Sequence, residues 1–296
     1  MPWHFTDDVE VYADHAWALL ASRPVENTIA LTVLENLRRG ERGAAGPLLF
    51  GWQETPQVSG AVLLTPPHPL LLAVVPDGAV DSLVAALRQH SVTVPGVNGE
   101  VATADRFAAA WRSPIEASRI AQQPGSAKNQ RLYELSSTPT PTPIPTPAPA
   151  GRPRQATDAD LDIVTTWLTA FQYATGYPIM NSEPVVRDRL ARGLLWLWLD
   201  SSSTVVAMAG RQPAAVGVAR VAPVYTPPEH RRRGYGSAVT AACVHDALSS
   251  DAERVVLFTD LANRTSNAIY QRIGFRPVGD YRIIRFENHS AERAMH

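Results

Sequence analysis

The chain has 296 residues, enough for two ordinary domains, and its 27 lysines and arginines against 28 aspartates and glutamates give a formal net charge of −1. That balance argues against a general nucleic-acid or membrane-surface binder, which carries a basic excess. A single cysteine, Cys243, excludes an internal disulfide and a cysteine-based metal cluster.

Val9–Leu20 and Asn27–Arg38 read as two helices, and Leu48–Trp52, Val58–Leu64 and Leu70–Val75 as three strands. Asp77–Gln89 and Ala104–Trp111 read as further helices, and Arg131–Leu135 as a closing strand. The apolar run Leu70–Val75, which no other run exceeds in length, is far too short to span a bilayer. With no basic stretch followed by an apolar run at the start, a cytoplasmic protein without a leader is expected. Proline then occupies every second position from Pro139 to Pro149. This composition favours extended polyproline II and is expected to link two domains; a docking motif for a partner is the alternative. The expected boundaries are 1–136, a linker 137–151, and 152–296.

In the second half, Arg152–Ala156 reads as a strand, and Asp158 as the cap of a helix reaching Ala174. Glu183–Arg192 reads as a helix, followed by the strands Leu194–Leu199, Thr204–Arg211 and Val216–Tyr225. In the first of these, Trp196 and Trp198 alternate with Leu195, Leu197 and Leu199, so both faces are apolar and the strand is expected to lie between layers. Tyr235–Leu248 reads as a helix, Arg254–Thr259 as a strand, Thr265–Ile273 as a helix stopped by Gly274, and Phe275–Phe286 as one or two strands. The same order of elements occurs twice, which points to a mixed α/β fold built by internal duplication.

Between the strand ending at Tyr225 and the helix beginning near Tyr235 lies His230-Arg231-Arg232-Arg233-Gly234-Tyr235-Gly236-Ser237. A strand that breaks into a glycine-bearing turn and opens a helix presents free backbone N–H groups and the positive end of the helix dipole. Gly234 and Gly236 allow close approach of a bulky anion, and the arginines add charge at the rim. A phosphate-bearing cofactor is the expected ligand.

Three stretches together resemble the GCN5-related N-acetyltransferases (GNAT). Arg231, Gly234 and Gly236 match the family's Arg/Gln-x-x-Gly-x-Gly/Ala signature; Thr259-Asp260-Leu261-Ala262-Asn263 ends the next strand; and Ser266-Asn267-Ala268-Ile269-Tyr270 is similar to its second block. The resemblance covers about Arg152 to Asn288 and implies two tandem GNAT-like domains, each a mixed, mostly antiparallel sheet flanked by helices. The first copy lacks both motifs and is expected to be degenerate.

The resemblance implies an acetyltransferase that moves an acetyl group from acetyl-CoA to a primary amine by direct attack in a ternary complex. The backbone of Arg232, Arg233, Gly234, Tyr235, Gly236 and Ser237 would hold the pyrophosphate, with Arg231 shaping the turn. Backbone groups of Val224, Tyr225 and Thr226 would meet the pantetheine arm and the acyl carbonyl. Tyr270 is the expected general acid, since a phenol of reference pKa about 10 stays protonated near neutrality; a core aromatic is the other reading. Asn267 would bond the pantetheine or position Tyr270, and Asn263 would touch the cofactor or cap a helix. No acid lies in Val216–Thr226, so Asp260, Glu183, Asp188 or a water chain are left as bases. Phe171, Tyr173, Tyr177 and Met180 are candidate acceptor-pocket residues. A small-molecule or peptide amine is the expected partner, with no nucleic acid, membrane or metal; homo-oligomerisation is open. An acyl-CoA sensor without turnover, or a transferase for a larger acyl group, is the alternative.

Overall fold

The computed structural model describes residues 2–40, 46–54, 56–112, 127–136, 149–176 and 181–286. The proline-rich stretch 137–148 and the candidate residues Tyr177 and Met180 lie outside them. Two compact units divide the chain.

The first unit opens with β1 (Trp3–Thr6), α1 (Val9–Ala21) and α2 (Thr28–Arg38). The Asp8 carboxylate accepts from the amides of Glu10 and Val11 and so starts α1. The strands β2 (Leu49–Glu54), β3 (Val58–Leu64) and β4 (Leu70–Val74) pair antiparallel in succession, and β1 pairs antiparallel with β2. After α3 (Val80–Gln89), β5 (Gly96–Glu100) pairs parallel with β4, and α4 (Val101–Trp111) follows. Leu70, Leu83, Leu87, Val97 and Phe107 are fully buried in its core.

The second unit repeats the order. β7 (Arg152–Gln155) is followed by α5 (Leu161–Thr175) and α6 (Ser182–Ala191). β8 (Leu195–Leu199), β9 (Val205–Arg211) and β10 (Val218–Tyr225) then pair antiparallel in succession, with β7 on β8. After α7 (Tyr235–Ser250), β11 (Arg254–Asp260) pairs parallel with β10, and α8 (Arg264–Ile273) follows. Trp196 and Trp198 pack on the cluster around α7, while Leu195, Leu197 and Leu199 pack on the cluster around α5 and α6. Burying five large apolar side chains on two faces pins the register, because a one-residue slip would exchange the faces.

The closing strands β6 (Ala127–Ser136) and β12 (Arg276–Arg285) cross the expected boundaries. β12 pairs antiparallel with β5, Tyr281 opposite Glu100 through Arg285 opposite Gly96, so residues from Val278 onward belong to the first unit. Tyr133 and the residues after it on β6 belong to the second unit, where Glu134 forms an ion pair with Arg254 of β11 at 3.7 Å. Asp260–Ala262 also group with the first unit.

Two local expectations are corrected. Thr157, not Asp158, caps the α5 region: its hydroxyl and backbone N–H both bond Asp160 Oδ2, and Asp158–Asp160 form a 3-10 turn before the helix. The helix expected from Asp77 starts at Val80, because Gly78 turns at φ +78. Of the one or two strands expected over Phe275–Phe286, the structure forms one, Arg276–Arg285. No helix among the described residues is long and apolar enough to cross a membrane.

Candidate functional site

The site is built where β10 leaves β11. Their parallel ladder runs from Val218 opposite Arg254 to Arg220 opposite Val256. β10 then continues to Tyr225 with β9 as its neighbour, so among the described residues its other edge carries no strand partner there. A bulge between Val221 and Val224 falls on Ala222-Pro223, where proline has no N–H to give to a ladder. The Ala222 carbonyl accepts from Arg189 Nη1 at 3.1 Å. Val224 packs on the α7 side and Tyr225 on the α5 side, with the Tyr225 ring 6.0 Å from Trp167.

From Tyr225 the chain passes Thr226 and a 3-10 turn at Pro228–His230. Arg232 and Gly234 both take positive φ, +62 and +84, so the backbone folds back on itself before α7 begins. No side chain caps α7, and Ala238 N–H donates the first bond, to the Gly234 carbonyl at 3.0 Å. The amides of Tyr235, Gly236 and Ser237 therefore have no intrahelical acceptor, the arrangement that can receive an anion. A Cβ on Gly236 would lie 3.1 Å from Thr226 Oγ1, so the loop leaves little room there. Arg231, Arg232 and Arg233 are exposed at the rim, while Tyr235 is buried beneath it. Arg231 Nε donates to the Thr226 carbonyl at 3.0 Å and closes the base of the loop.

The candidates on the second block sit on α8. Asn263 Oδ1 accepts from the Ser266 amide at 3.0 Å, so this side chain is the helix N-cap. Asn267 Oδ1 accepts from the Tyr133 hydroxyl at 3.0 Å, and its Nδ2 donates to the Asn263 carbonyl at 2.8 Å. Both ends of the Asn267 amide are thus engaged inside the unit. Tyr270 is buried in the cluster that also holds Tyr235, its ring edge-on to Phe275 at 6.0 Å. Burial pushes its phenol up to about 12. Among the described residues none hydrogen-bonds its hydroxyl. The arrangement can hold a proton on Tyr270 Oη at any physiological pH and keep it available.

The candidate bases are held by local partners. Glu183 pairs with Arg187 at 2.7 Å, Asp188 pairs with Arg192 at 3.3 Å, and Asp260 Oδ1 accepts from the Ala262 amide at 2.8 Å. His245 is exposed on α7. Of the acceptor-pocket candidates, Phe171 packs on the α5 core, whereas Tyr173 is 69% exposed. Trp167, beside Tyr225, was not anticipated; its spacing of four from Phe171 on one helix was the available signal. Two buried polar residues were also missed. Arg211 binds Asp246, Asp251 and Ser250 and ties the end of β9 to the end of α7. Tyr133 lies 134 residues from its partner Asn267, a separation that no local pattern reveals.

Residues 162–275 match the model of the acetyltransferase (GNAT) family, so the second half of the chain is similar to that family. No curated protein matches the chain. Among solved structures, a Drosophila protein is 15% identical over 96% of this chain and 98% of its own, with a TM-score of 0.63. A GCN5-related N-acetyltransferase from Sphaerobacter thermophilus is 16% identical over 86% of this chain and 85% of its own, with a TM-score of 0.57. A tandem GNAT protein from the clavulanic acid biosynthesis pathway is 12% identical over 98% and 100%, with a TM-score of 0.56. The likeness is one of fold: two GNAT-like halves in tandem.

Proposed function

We propose that this chain is a GNAT-type acyltransferase that moves an acetyl group from acetyl-CoA to the primary amine of a small molecule or peptide, by direct attack within a ternary complex. The observation that carries the reading is the uncapped start of α7, entered through Arg232 and Gly234 at positive φ directly from the end of β10. Its amides, from Arg232 to Ser237, suit a pyrophosphate, and the three exposed arginines suit the surrounding phosphate charge. Acetyl-CoA, when bound, supplies a thioester whose acetyl group the amine accepts.

The chain's own groups then have distinct tasks. Arg231 braces the loop through Thr226. The edge of β10 at Val224 and Tyr225 that lacks a strand partner among the described residues, and Thr226 just beyond it, offer backbone groups along which an extended arm can bond. Tyr270 Oη holds a proton and gives it to the departing sulfur. With each candidate carboxylate paired, the amine's proton is assigned to solvent. Direct attack is favoured over an acylated cysteine because Cys243 is fully buried and its thiol is pushed up to about 12 by that burial.

The first unit is assigned no cofactor. Its counterpart loop after β4 reads Val75-Pro76-Asp77-Gly78-Ala79 and carries an acid where the second unit has three arginines. Asp81 adds another carboxylate in the first turn of α3. Both repel phosphate from a helix N-terminus.

Calorimetric titration of acetyl-CoA, followed by a panel of primary amines, tests the reading. One site per chain and an acetylated product are expected. Absence of binding overturns the assignment, and saturable binding with no product from any amine reduces the chain to a binder.

A further inference from the structure

We propose that Tyr133 is a positioning residue for Tyr270; the proposal rests on the reading of Tyr270 as proton donor. Tyr133 lies on β6, before the proline-rich stretch, yet it belongs to the second unit and is fully buried in the cluster that holds Tyr270 and Phe275. A buried phenol needs partners, and both come from α8. The Tyr133 hydroxyl donates to Asn267 Oδ1 at 3.0 Å and accepts from Gln271 Nε2 at 3.3 Å.

Asn267 and Gln271 are one turn apart and flank Tyr270 in sequence. α8 itself is short: it buries Tyr270 and Ile273, and Ile269 packs half-buried on the same cluster. Apolar contacts have no preferred direction and resist a roll of the helix about its axis only weakly, and a roll would swing Tyr270 Oη away from the reacting sulfur. The Tyr133 hydroxyl supplies a directional restraint that hydrophobic contacts lack. Asn267 extends the restraint toward the helix start, since its Nδ2 donates to the carbonyl of the N-cap residue Asn263. A single hydroxyl thereby holds both turns around Tyr270.

Tyr133→Phe keeps the ring and removes only the hydroxyl. Its kcat is expected to fall about tenfold, with KM for acetyl-CoA changed less than about twofold, because aim is lost and binding is not. In the Tyr270→Phe background the same change should lower kcat no further. An equal loss in both backgrounds, or a wild-type kcat in Tyr133→Phe, overturns the positioning role alone. A wild-type kcat in Tyr270→Phe overturns the proton-donor reading and this proposal with it. Should Tyr133→Phe fail to fold, Gln271→Leu, at an exposed helix position, removes one of the two bonds. A smaller loss, of about threefold, that vanishes in Tyr270→Phe is then expected, and a loss that persists there counts against the proposal.

Discussion

Arg231 and Thr226 are joined by a hydrogen bond from Nε to the backbone carbonyl at 3.0 Å, which spans the loop between β10 and α7. The signature arginine therefore acts on the loop's shape as well as its charge. Arg231→Lys keeps the charge and loses the planar donor. We expect the Kd for acetyl-CoA to rise about tenfold, equivalent to about 1.4 kcal/mol. Calorimetry with an unchanged Kd would show that the loop holds its shape without this bond.

Gly236→Glu should abolish acetyl-CoA binding in a folded protein. Even a Cβ there meets Thr226 Oγ1 at 3.1 Å, and the added carboxylate repels the phosphates. Gly236→Ala should bind more weakly than the wild type but measurably. Retained affinity in Gly236→Glu, with a native circular dichroism spectrum, would place the phosphates elsewhere.

Tyr270→Phe should bind acetyl-CoA normally and slow turnover by roughly 10²–10⁴-fold. Since burial pushes this phenol up to about 12, it stays protonated well above neutrality. Deprotonation of Tyr270 should therefore cause no fall in kcat between pH 7 and about 10. A tyrosinate absorbance rise in that interval that is missing in Tyr270→Phe would contradict the assignment.

Asp160 sets an acid limit on stability. The Arg154 guanidinium, at 2.7 Å through both oxygens, holds this buried carboxyl below its usual range, with the Thr157 amide assisting. A depressed folded pKa stabilises the fold above the unfolded value of about 3.9 and loses that contribution as pH falls through the folded value. Asp160→Asn should cost about 1–3 kcal/mol at pH 7. The gap in Tm from the wild type should close below about pH 4. A gap independent of pH would mean that the side chain's shape, not its charge, matters.

Cys243 offers a probe of unfolding. It is fully buried and its thiol is raised to about 12, so alkylation by iodoacetamide should be negligible in the native protein at pH 8. Labelling should appear with the loss of ellipticity in denaturant. Rapid native labelling would reveal local opening of α7.

What the sequence made legible follows periodicity and turn chemistry. The alternation of tryptophan and leucine in β8 assigned both of its faces correctly, because side chains along a regular strand point to opposite faces in turn. Gly274 marked the end of α8, and it adopts φ +109 there. β5 went unread because Gly96-Val97-Asn98-Gly99-Glu100 has a turn-like composition and forms a strand only through its pairing with β4 and β12. Val216 was read as the start of β10, yet Val216 and Gly217 take positive φ in a tight turn before it. Within the candidate site, the glycine turn that opens α7 was legible as a local motif. The engagement of Asn267 with Tyr133 was not, since partner choice across 134 positions leaves no trace in a single chain.

The closing strands give the two halves of the gene a shared fate. A chain cut within residues 137–148 would leave β6 covalently on one fragment while Tyr133 counts among the second unit, and β12 on the other while Val278 onward counts among the first. Each fragment expressed alone would present β5 or β11 with an open edge, the feature that invites aggregation. Neither half is then an independent module for transplantation, and a minimal catalytic fragment starting after the prolines should be insoluble unless the rest is supplied in trans.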